Sequence, residues 1–338
     1  MNKDLVSVVM PVYNEEKCIK ACLDSLLEQD YPKEKMEWII VDGGSTDRTL
    51  EILEFYRQKY PELIKILDNP KKIVPCAMNI GIRQASGKYI IRLDAHAEYE
   101  KDYFTKCVYH LDNGDADNVG GIIKTKAKTK RGESIAKMLS SKFGVGNSQF
   151  RTNGKSGYVD TVPFGAFRRE VFSEYGGYDE RLVRNQDNEM NYRIRKNGGK
   201  VYLSDDIKLS YYCRDTVKGI SAMARTNGKW NIITKKLCPG SMSARHFIPL
   251  LFVLSLTVLA VAGIFYRPIW YVLAAELSVY LVSDLIAAVK SADSFGEFWF
   301  LLFLFPVFHL NYGIGSLAGI FLQFSKKYGK NGYTPEKI

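Results

Sequence analysis

The stretch Arg92-Leu93-Asp94-Ala95-His96-Ala97 closes a run in which Tyr89, Ile90, Ile91 and Leu93 are apolar, so an aspartate and a histidine stand two apart where a strand ends. Residues i and i+2 of an extended chain point to the same side, which offers two ligands to one divalent cation. Upstream lies Val41-Asp42-Gly43-Gly44-Ser45-Thr46-Asp47, again following an apolar strand, and the chain opens with Val8-Val9-Met10-Pro11-Val12-Tyr13-Asn14-Glu15. Three strand ends furnished with carboxylates and turn residues predict one ligand crevice at the carboxyl edge of a parallel sheet.

The surrounding pattern agrees. Strands over 5–10, 37–41, 63–67 and 89–93 alternate with helices over 15–28, 46–60 and 74–84, a βαβ series that predicts an α/β fold with a doubly wound sheet. Beyond Lys101 the order is less regular: helices over 102–111, 168–175 and 187–196, a strand over 119–123, and a Gly/Ser/Lys-rich stretch over 124–157 read as loop. The helix over 187–196 runs into Gly198-Gly199, a suitable C-cap. Pro239 and Gly240 interrupt the pattern after a helix over 216–236. The expected organisation is therefore an α/β domain over 1–236, a linker over 237–246, an apolar region over 247–325 and a basic tail over 326–338.

Three apolar stretches, 247–265, 268–289 and 298–324, follow one another with few charges, and each matches the hydrocarbon thickness of a bilayer. No apolar signal segment precedes the first strand. The formal charge is +10, from 47 Lys and Arg against 37 Asp and Glu. Between Thr216 and Arg245 the bases Lys218, Arg225, Lys229, Lys235, Lys236 and Arg245 have no acidic residue among them and abut the first apolar stretch. A basic segment so placed favours an anionic cytoplasmic leaflet, and no nucleic-acid-binding motif accompanies it. Nucleic acid is therefore not an expected partner. The six cysteines show no zinc spacing and are expected as reduced thiols.

Asp42 sits just past a buried strand, followed by glycines that let a ligand approach the backbone, so it suits a nucleobase or ribose contact. Ser45 or Asp47 also caps the helix that follows. Neither a Gly-x-Gly-x-x-Gly nor a Walker-type phosphate loop is present, which leaves a nucleotide held by side chains and a metal. Asp94 and His96 are the metal ligands expected, with Mg²⁺ or Mn²⁺ as the ion. In Asn185-Gln186-Asp187-Asn188-Glu189 the carboxylates of Asp187 and Glu189 lie in the first turn of a helix, where the dipole stabilises them and where one of them can act as a general base.

Val12-Tyr13-Asn14-Glu15, Val41-Asp42-Gly43-Gly44-Ser45-Thr46-Asp47, Asn79-Ile80-Gly81, Leu93-Asp94-Ala95-His96 and the Gln186-Asp187 helix together resemble family 2 glycosyltransferases of the GT-A fold. With Asp160-Thr161-Val162-Pro163-Phe164-Gly165-Ala166-Phe167-Arg168-Arg169 they look closest to the succinoglycan biosynthesis ExoA group of that family. The resemblance covers roughly the first 240 residues. It implies an inverting transfer of a hexose from a nucleotide diphosphate sugar. Pro11, Tyr13, Glu15, Asp42, Asp47 and Asp94 would hold the donor, Asp94 and His96 the metal, and Asp187 would be the base. His96 stands where the family's metal motif usually has a second aspartate, and Gln186 where a glutamate often precedes the base. Thr226-Asn227-Gly228-Lys229-Trp230 is a remnant of the Gln-x-x-Arg-Trp motif of processive synthases, so addition of one sugar is expected.

The expected acceptor is a polyprenyl-linked saccharide in surface polysaccharide synthesis, with Glu189, Lys229 and Trp230 as acceptor or diphosphate contacts. Alternatives are a synthase that loads polyprenyl phosphate itself and a non-catalytic membrane scaffold. The helix over 216–236 would lie at the membrane interface with Trp230 at headgroup depth. The expected location is the cytoplasmic membrane, multi-pass, with the catalytic domain facing the cytoplasm. Three crossings would put Lys326, Lys327 and Lys330 on the far side, against the charge bias, whereas two or four would not. Pro306, His309 and Gly313 offer a break in the third stretch, and Gly315-Ser316-Leu317-Ala318-Gly319 a surface for close helix packing.

Overall fold

The computed structural model describes residues 4–114, 116–152, 154–324 and 335–338. It divides into two compact units: Met1–Lys124, Asn153–Tyr211 and Gly332–Ile338 form the first, Thr125–Thr152 and Tyr212–Asn331 the second.

The first unit is built on β1 (Val6–Val12), β2 (Met36–Asp42), β3 (Ile64–Asp68) and β4 (Tyr89–Arg92), parallel in the spatial order β3-β2-β1-β4. Helices α1 (Ile19–Leu27), α2 (Thr49–Lys59) and α3 (Val74–Gln84) make the connections. Every residue of β2 and β4 is buried, as befits strands covered on both faces. Gly81 lets α3 approach the sheet: a Cβ there would lie 2.4 Å from Val9 Cγ1. Asn79, its neighbour in the sequence motif, brackets Tyr178 with an amide pair, receiving the Tyr178 N–H at 2.7 Å and donating to the Tyr178 carbonyl at 2.9 Å.

The second half of the sheet is antiparallel. The elements are β5 (Ala97–Tyr99), α4 (Tyr103–Asn113), β6 (Asn118–Lys126), α5 (Lys130–Ser140), α6 (Lys142–Val145), β7 (Gly157–Tyr158), β8 (Ala166–Arg168), α7 (Glu170–Tyr175), α8 (Gln186–Lys196) and β9 (Val201–Tyr212). β8 pairs antiparallel with both β4 and β6, and β9 antiparallel with β5 and β7, completing a mixed nine-stranded sheet. The expected GT-A type sheet is thus present, doubly wound and parallel in its first four strands and mixed through the antiparallel pairing from β8 onward. Because β2 lies on one side of β1 and β4 on the other, the carboxyl ends of β1, β2 and β4 flank a topological switch point, the usual place for a ligand in such sheets.

The second unit contains α5, α6, α9 (Val217–Leu237), α10 (Ile248–Phe265), α11 (Ile269–Ser291) and α12 (Phe295–Leu322). Among the described residues Ala244–Phe265, Ile269–Ser291 and Phe295–Leu322 are long and apolar enough to cross a membrane. The stretch read as loop over 124–157 contains α5 and α6. Thr129 caps α5 by accepting from the Gly132 N–H at 3.1 Å, and Ile135, Met138 and Leu139 supply a buried face at helical spacing. Gly132 and Ser134 are buried with them, so small and polar residues that suggested a loop stand inside the helix.

Buried Glu37 on β2 ties the parallel strands to their connections. Its carboxylate accepts from Ser7 Oγ at 2.5 Å, Ser86 N at 2.6 Å, Ser86 Oγ at 2.7 Å and Lys65 Nζ at 2.9 Å. Burial alone would raise its pKa, but the donors on Ser7, Ser86 and Lys65 outweigh it and hold the group below its ordinary 4.5. A carboxyl so depressed stabilises the fold fully above its unfolded value, and that stabilisation is lost as pH falls through the folded one. Glu37→Gln is therefore expected to cost about 2 kcal/mol at pH 7. The gap from wild type should narrow below pH 4.5, read from denaturation curves at a series of pH values.

Candidate active site

The turn after β1 and the turn after β2 are stapled together. Asn14, at φ 54°, receives the Thr46 N–H on Oδ1 at 2.8 Å and donates its own N–H to Ser45 Oγ at 2.9 Å. The Glu15 N–H goes to Thr49 Oγ1 at 2.7 Å and the Glu16 N–H to Asp47 Oδ2 at 3.2 Å. Asp47 also receives the Thr49 N–H at 3.0 Å, so it serves both the staple and the start of α2. Asp42, 3% exposed, turns back on its own loop: Oδ2 accepts from Gly44 N at 2.8 Å and Ser45 N at 2.9 Å, and Oδ1 from Ser45 Oγ at 2.5 Å. Gly44 at φ +74° makes this turn possible. Beside it the exposed ring of Tyr13 has Lys72 Nζ 6.0 Å from its centroid, a basic group that the sequence reading did not single out.

The staple delivers Glu15 to the residues that follow β4. Ligand atoms of Glu15, Asp94 and His96 all lie within 4.8 Å of one another. His96 Nδ1 is 2.7 Å from Asp94 Oδ1 and 3.2 Å from Glu15 Oε1, and Nε2 is 3.0 Å from the Tyr211 hydroxyl. The Asp94 N–H donates to the Tyr99 hydroxyl at 2.7 Å, which fixes the turn between β4 and β5. Burial would raise the Asp94 carboxyl, yet the neighbouring His96 and Arg92 leave it below the usual range. Burial likewise works against charge on His96, but the Asp94 and Glu15 carboxylates raise its pKa above the ordinary 6.5. Two carboxylates and an imidazole at this spacing form a donor set suited to a divalent cation of the Mn²⁺ or Mg²⁺ kind. Glu15, expected at the nucleotide, is thus the third member of the candidate metal group.

Asp187 lies in the first turn of α8, as its motif implied, and its Oδ1 receives Nη1 of Arg92. Arg92 is 4% exposed at the end of β4, two residues before Asp94, with its guanidinium 5.6 Å from the centre of the Phe164 ring. Phe164 in turn stacks on Tyr211 at 6.1 Å, and Tyr211 meets His96 edge to face at 4.8 Å. Phe164 adopts φ 50°, a conformation that costs a bulky residue roughly 1–3 kcal/mol. An aromatic bridge thus runs between the Arg92–Asp187 pair and the Asp94–His96 pair. The amide of buried Asn191 holds α8 in place, accepting from Asn118 Nδ2 at 2.5 Å and donating to Thr161 Oγ1 at 2.8 Å and the Val162 carbonyl at 2.9 Å. Both oxygens of buried Glu189 are engaged by Arg193, at 2.9 and 2.8 Å, and Arg193 also binds the Gly176 and Gly177 carbonyls.

A family model described as Glycosyl transferase family 2 matches residues 7–176. The chain belongs to this glycosyltransferase family. It is 34% identical over 222 residues to the dolichyl N-acetyl-alpha-D-glucosaminyl phosphate 3-beta-D-2,3-diacetamido-2,3-dideoxy-beta-D-glucuronosyltransferase of Methanococcus voltae, covering 64% of this chain and 69% of that one. To the succinoglycan biosynthesis protein ExoA of Rhizobium meliloti (strain 1021) it is 33% identical over 209 residues, 61% of this chain and 63% of that one. Among solved structures, the Pyrobaculum calidifontis mannosyltransferase PcManGT, in complex with GDP-Man and Mn²⁺, aligns with a TM-score of 0.58 at 19% identity, covering 93% of this chain and 86% of that one. Residues 1–349 of Staphylococcus aureus TarS align with a TM-score of 0.52 at 21% identity, covering 95% and 93%. These two share the GT-A fold.

Of the residues singled out from sequence, Glu15, Asp94 and His96 come together, and Asp187 joins them through Arg92. Asp42 and Asp47 shape the loops alongside, and Pro11 precedes Tyr13 where the ladder from β1 to β4 has already stopped at Val9. Lys229 and Trp230 lie on α9 in the second unit, and Trp230, expected at headgroup depth, is buried there. The reading missed the roles of Arg92, Tyr99, Phe164 and Tyr211. Arg92 left one signal, a charge inside an otherwise apolar strand. Arg92→Met is expected to let Asp187 reorient and to lower turnover on the order of a hundredfold. Donor affinity should change little, and steady-state kinetics with equilibrium donor binding would check both.

Proposed function

We propose that this glycosyltransferase inverts the anomeric centre of a nucleotide diphosphate hexose, a UDP-sugar, and transfers the sugar to a hydroxyl of a polyprenyl-linked saccharide at the cytoplasmic face of a membrane. The observation that carries this reading is the meeting of Glu15, Asp94 and His96 at the switch point of the sheet, with Asp187 joined to them through Arg92. The donor would lie across the carboxyl ends of β1 and β2, its nucleotide against Tyr13, Asp42 and the glycines. Glu15, Asp94 and His96 would hold a divalent cation, Mg²⁺ or Mn²⁺, which supplies charge neutralisation for the departing diphosphate. Asp187 takes the proton of the acceptor hydroxyl through Oδ2 while Arg92 fixes Oδ1. The new bond joins the acceptor oxygen to the anomeric carbon, and the bond from that carbon to the diphosphate oxygen breaks. The Methanococcus voltae relative, named for transfer to a dolichyl-linked sugar phosphate, supports a lipid-linked acceptor, as do the apolar segments of the second unit.

Asp187→Asn should lower sugar transfer at least about a hundredfold while the donor still binds; unchanged turnover would remove the base from its role. Purified protein given a labelled sugar nucleotide with either polyprenyl phosphate or a polyprenyl-diphosphate sugar should modify only the second. Modification of the bare phosphate would make the enzyme a carrier-loading synthase instead. Calorimetric titration of Mn²⁺ with the UDP-sugar should show binding that His96→Ala and Asp94→Asn weaken together. Binding unaffected by either variant would exclude this cluster as the metal site.

A further inference from the structure

Three apolar helices give an odd number of possible crossings, yet the chain begins and ends in the same unit. Residues 335–338 belong to the first unit: the Ile338 N–H donates to the Phe172 carbonyl at 3.0 Å, the Gly177 N–H to the Glu336 carbonyl at 2.8 Å, and the Glu336 carboxylate pairs with Arg83 at 2.6 Å. A polar body cannot occupy both faces of a bilayer, so an even number of crossings separates Tyr211 from Pro335.

Several observations single out α12 as the helix that does not cross. It is 44% buried within the protein over its most apolar window, against 17% and 22% for the segments that contain α10 and α11. Its buried side follows α9, whose backbone it touches through glycines. A Cβ on Gly315 would lie 2.1 Å from the Arg225 carbonyl, one on Gly319 2.6 Å from the Lys229 carbonyl, and one on Gly228 2.0 Å from the Tyr312 carbonyl. Lys236 donates to the Gln323 carbonyl at the far end. α9 carries Lys218, Arg225, Lys229, Lys235 and Lys236 without an acidic residue, which excludes it from hydrocarbon. A helix packed along it shares its depth.

The contacts of α12 also stay at one level. Glu297 pairs with Lys137 of α5 at 2.7 Å, and His309 Nε2 meets the Phe143 carbonyl of α6 at 3.0 Å. Gly313 packs on the Pro249 carbonyl at the entrance of α10, only 2.3 Å from where its Cβ would be. An unbroken helix separates Glu297 from Gly313 by about 24 Å. A crossing helix would carry the later contacts far from the polar ends of the spans. Instead they fall on α6, on the first turn of α10, and on Tyr280 of α11, whose hydroxyl lies 2.8 Å from His309 Nδ1 and whose ring stacks on Phe252 near the start of α10. By contrast, α10 and α11 form an antiparallel pair, with Phe252 stacked on Tyr280 at 4.5 Å and Ser255 Oγ bonded to Glu276 at 2.5 Å.

We propose that only the α10–α11 hairpin spans the bilayer, and that α12 lies with α5 and α9 as a platform in the headgroup layer at the end of the hairpin where α10 begins. The outward side of α12 presents Phe295, Trp299, Phe303, Leu310, Ile314 and Phe321 to acyl chains. Exposed bases of α5 and α9, among them Lys130, Arg131, Lys218 and Arg225, face lipid phosphates. The partner of this surface is thus the anionic leaflet itself.

The test uses the full chain with a protease-cleavable epitope at each terminus and, separately, Arg267→Cys in the turn between α10 and α11, in sealed vesicles of known orientation. Both epitopes should be cleaved from one face, and Cys at 267 should react with a membrane-impermeant maleimide only from the other. Epitopes on opposite faces, or a 267 position reactive from the epitope face, would overturn the arrangement. A platform also predicts that Ile314→Cys carrying an environment-sensitive fluorophore reports headgroup depth. A report from the bilayer centre would refute it.

Discussion

A guanidinium buried at the end of a sheet strand must be neutralised where it stands, and the requirement of Arg92 for a counter-charge organises much of the first unit. Asp187 supplies that charge from the first turn of α8, which draws the helix to the sheet edge. Asn191 can then span to Asn118 on β6 and to the 161–162 backbone, and Phe164 is clamped over the guanidinium in a left-handed conformation. The same arginine lies two positions before Asp94 and helps hold that carboxyl ionised. One charge thus fixes Asp187 on one side and favours the ionised Asp94 on the other.

How much of this was legible in the chain follows from the range of the interactions. The parallel strands were readable because each is a short, largely apolar run followed by a carboxylate or turn motif, and α3 was readable to its end residues. The antiparallel half was not. β9 exposes the consecutive Asp205 and Asp206, so its alternation breaks where a strand would have to be recognised, and its partners β5 and β7 are too short to signal alone. Tyr211, which contacts His96, was hidden for that reason. Asp94, His96 and Asp187 were found because local motifs mark them, whereas the pairing of Asp187 with Arg92 joins residues 95 positions apart and leaves no local trace.

Asp42 shows a different limit. Its position after a buried strand suggests a ligand contact, and its carboxylate is bonded to the turn that follows. The two uses are compatible: a carboxylate that accepts from its own loop keeps lone pairs for a further donor. Its first effect, however, is to shape the glycine turn against which Tyr13 and the Glu15 segment are stapled. In the second unit the composition of α5 misled for a simple reason: a helix that buries Gly132, Ser134 and Ala136 beside Ile135, Met138 and Leu139 shows few of the apolar letters by which helices are recognised.

The clip formed by the last four residues on Phe172 and Gly177 has a consequence for biogenesis. A chain made from its N-terminus can fold the strands of the first unit early, but it closes this clip only after α10, α11 and α12 have left the ribosome. Completion of the first unit is thereby deferred until the apolar helices of the second exist. Maturation of the catalytic half is chained to synthesis of the three apolar helices.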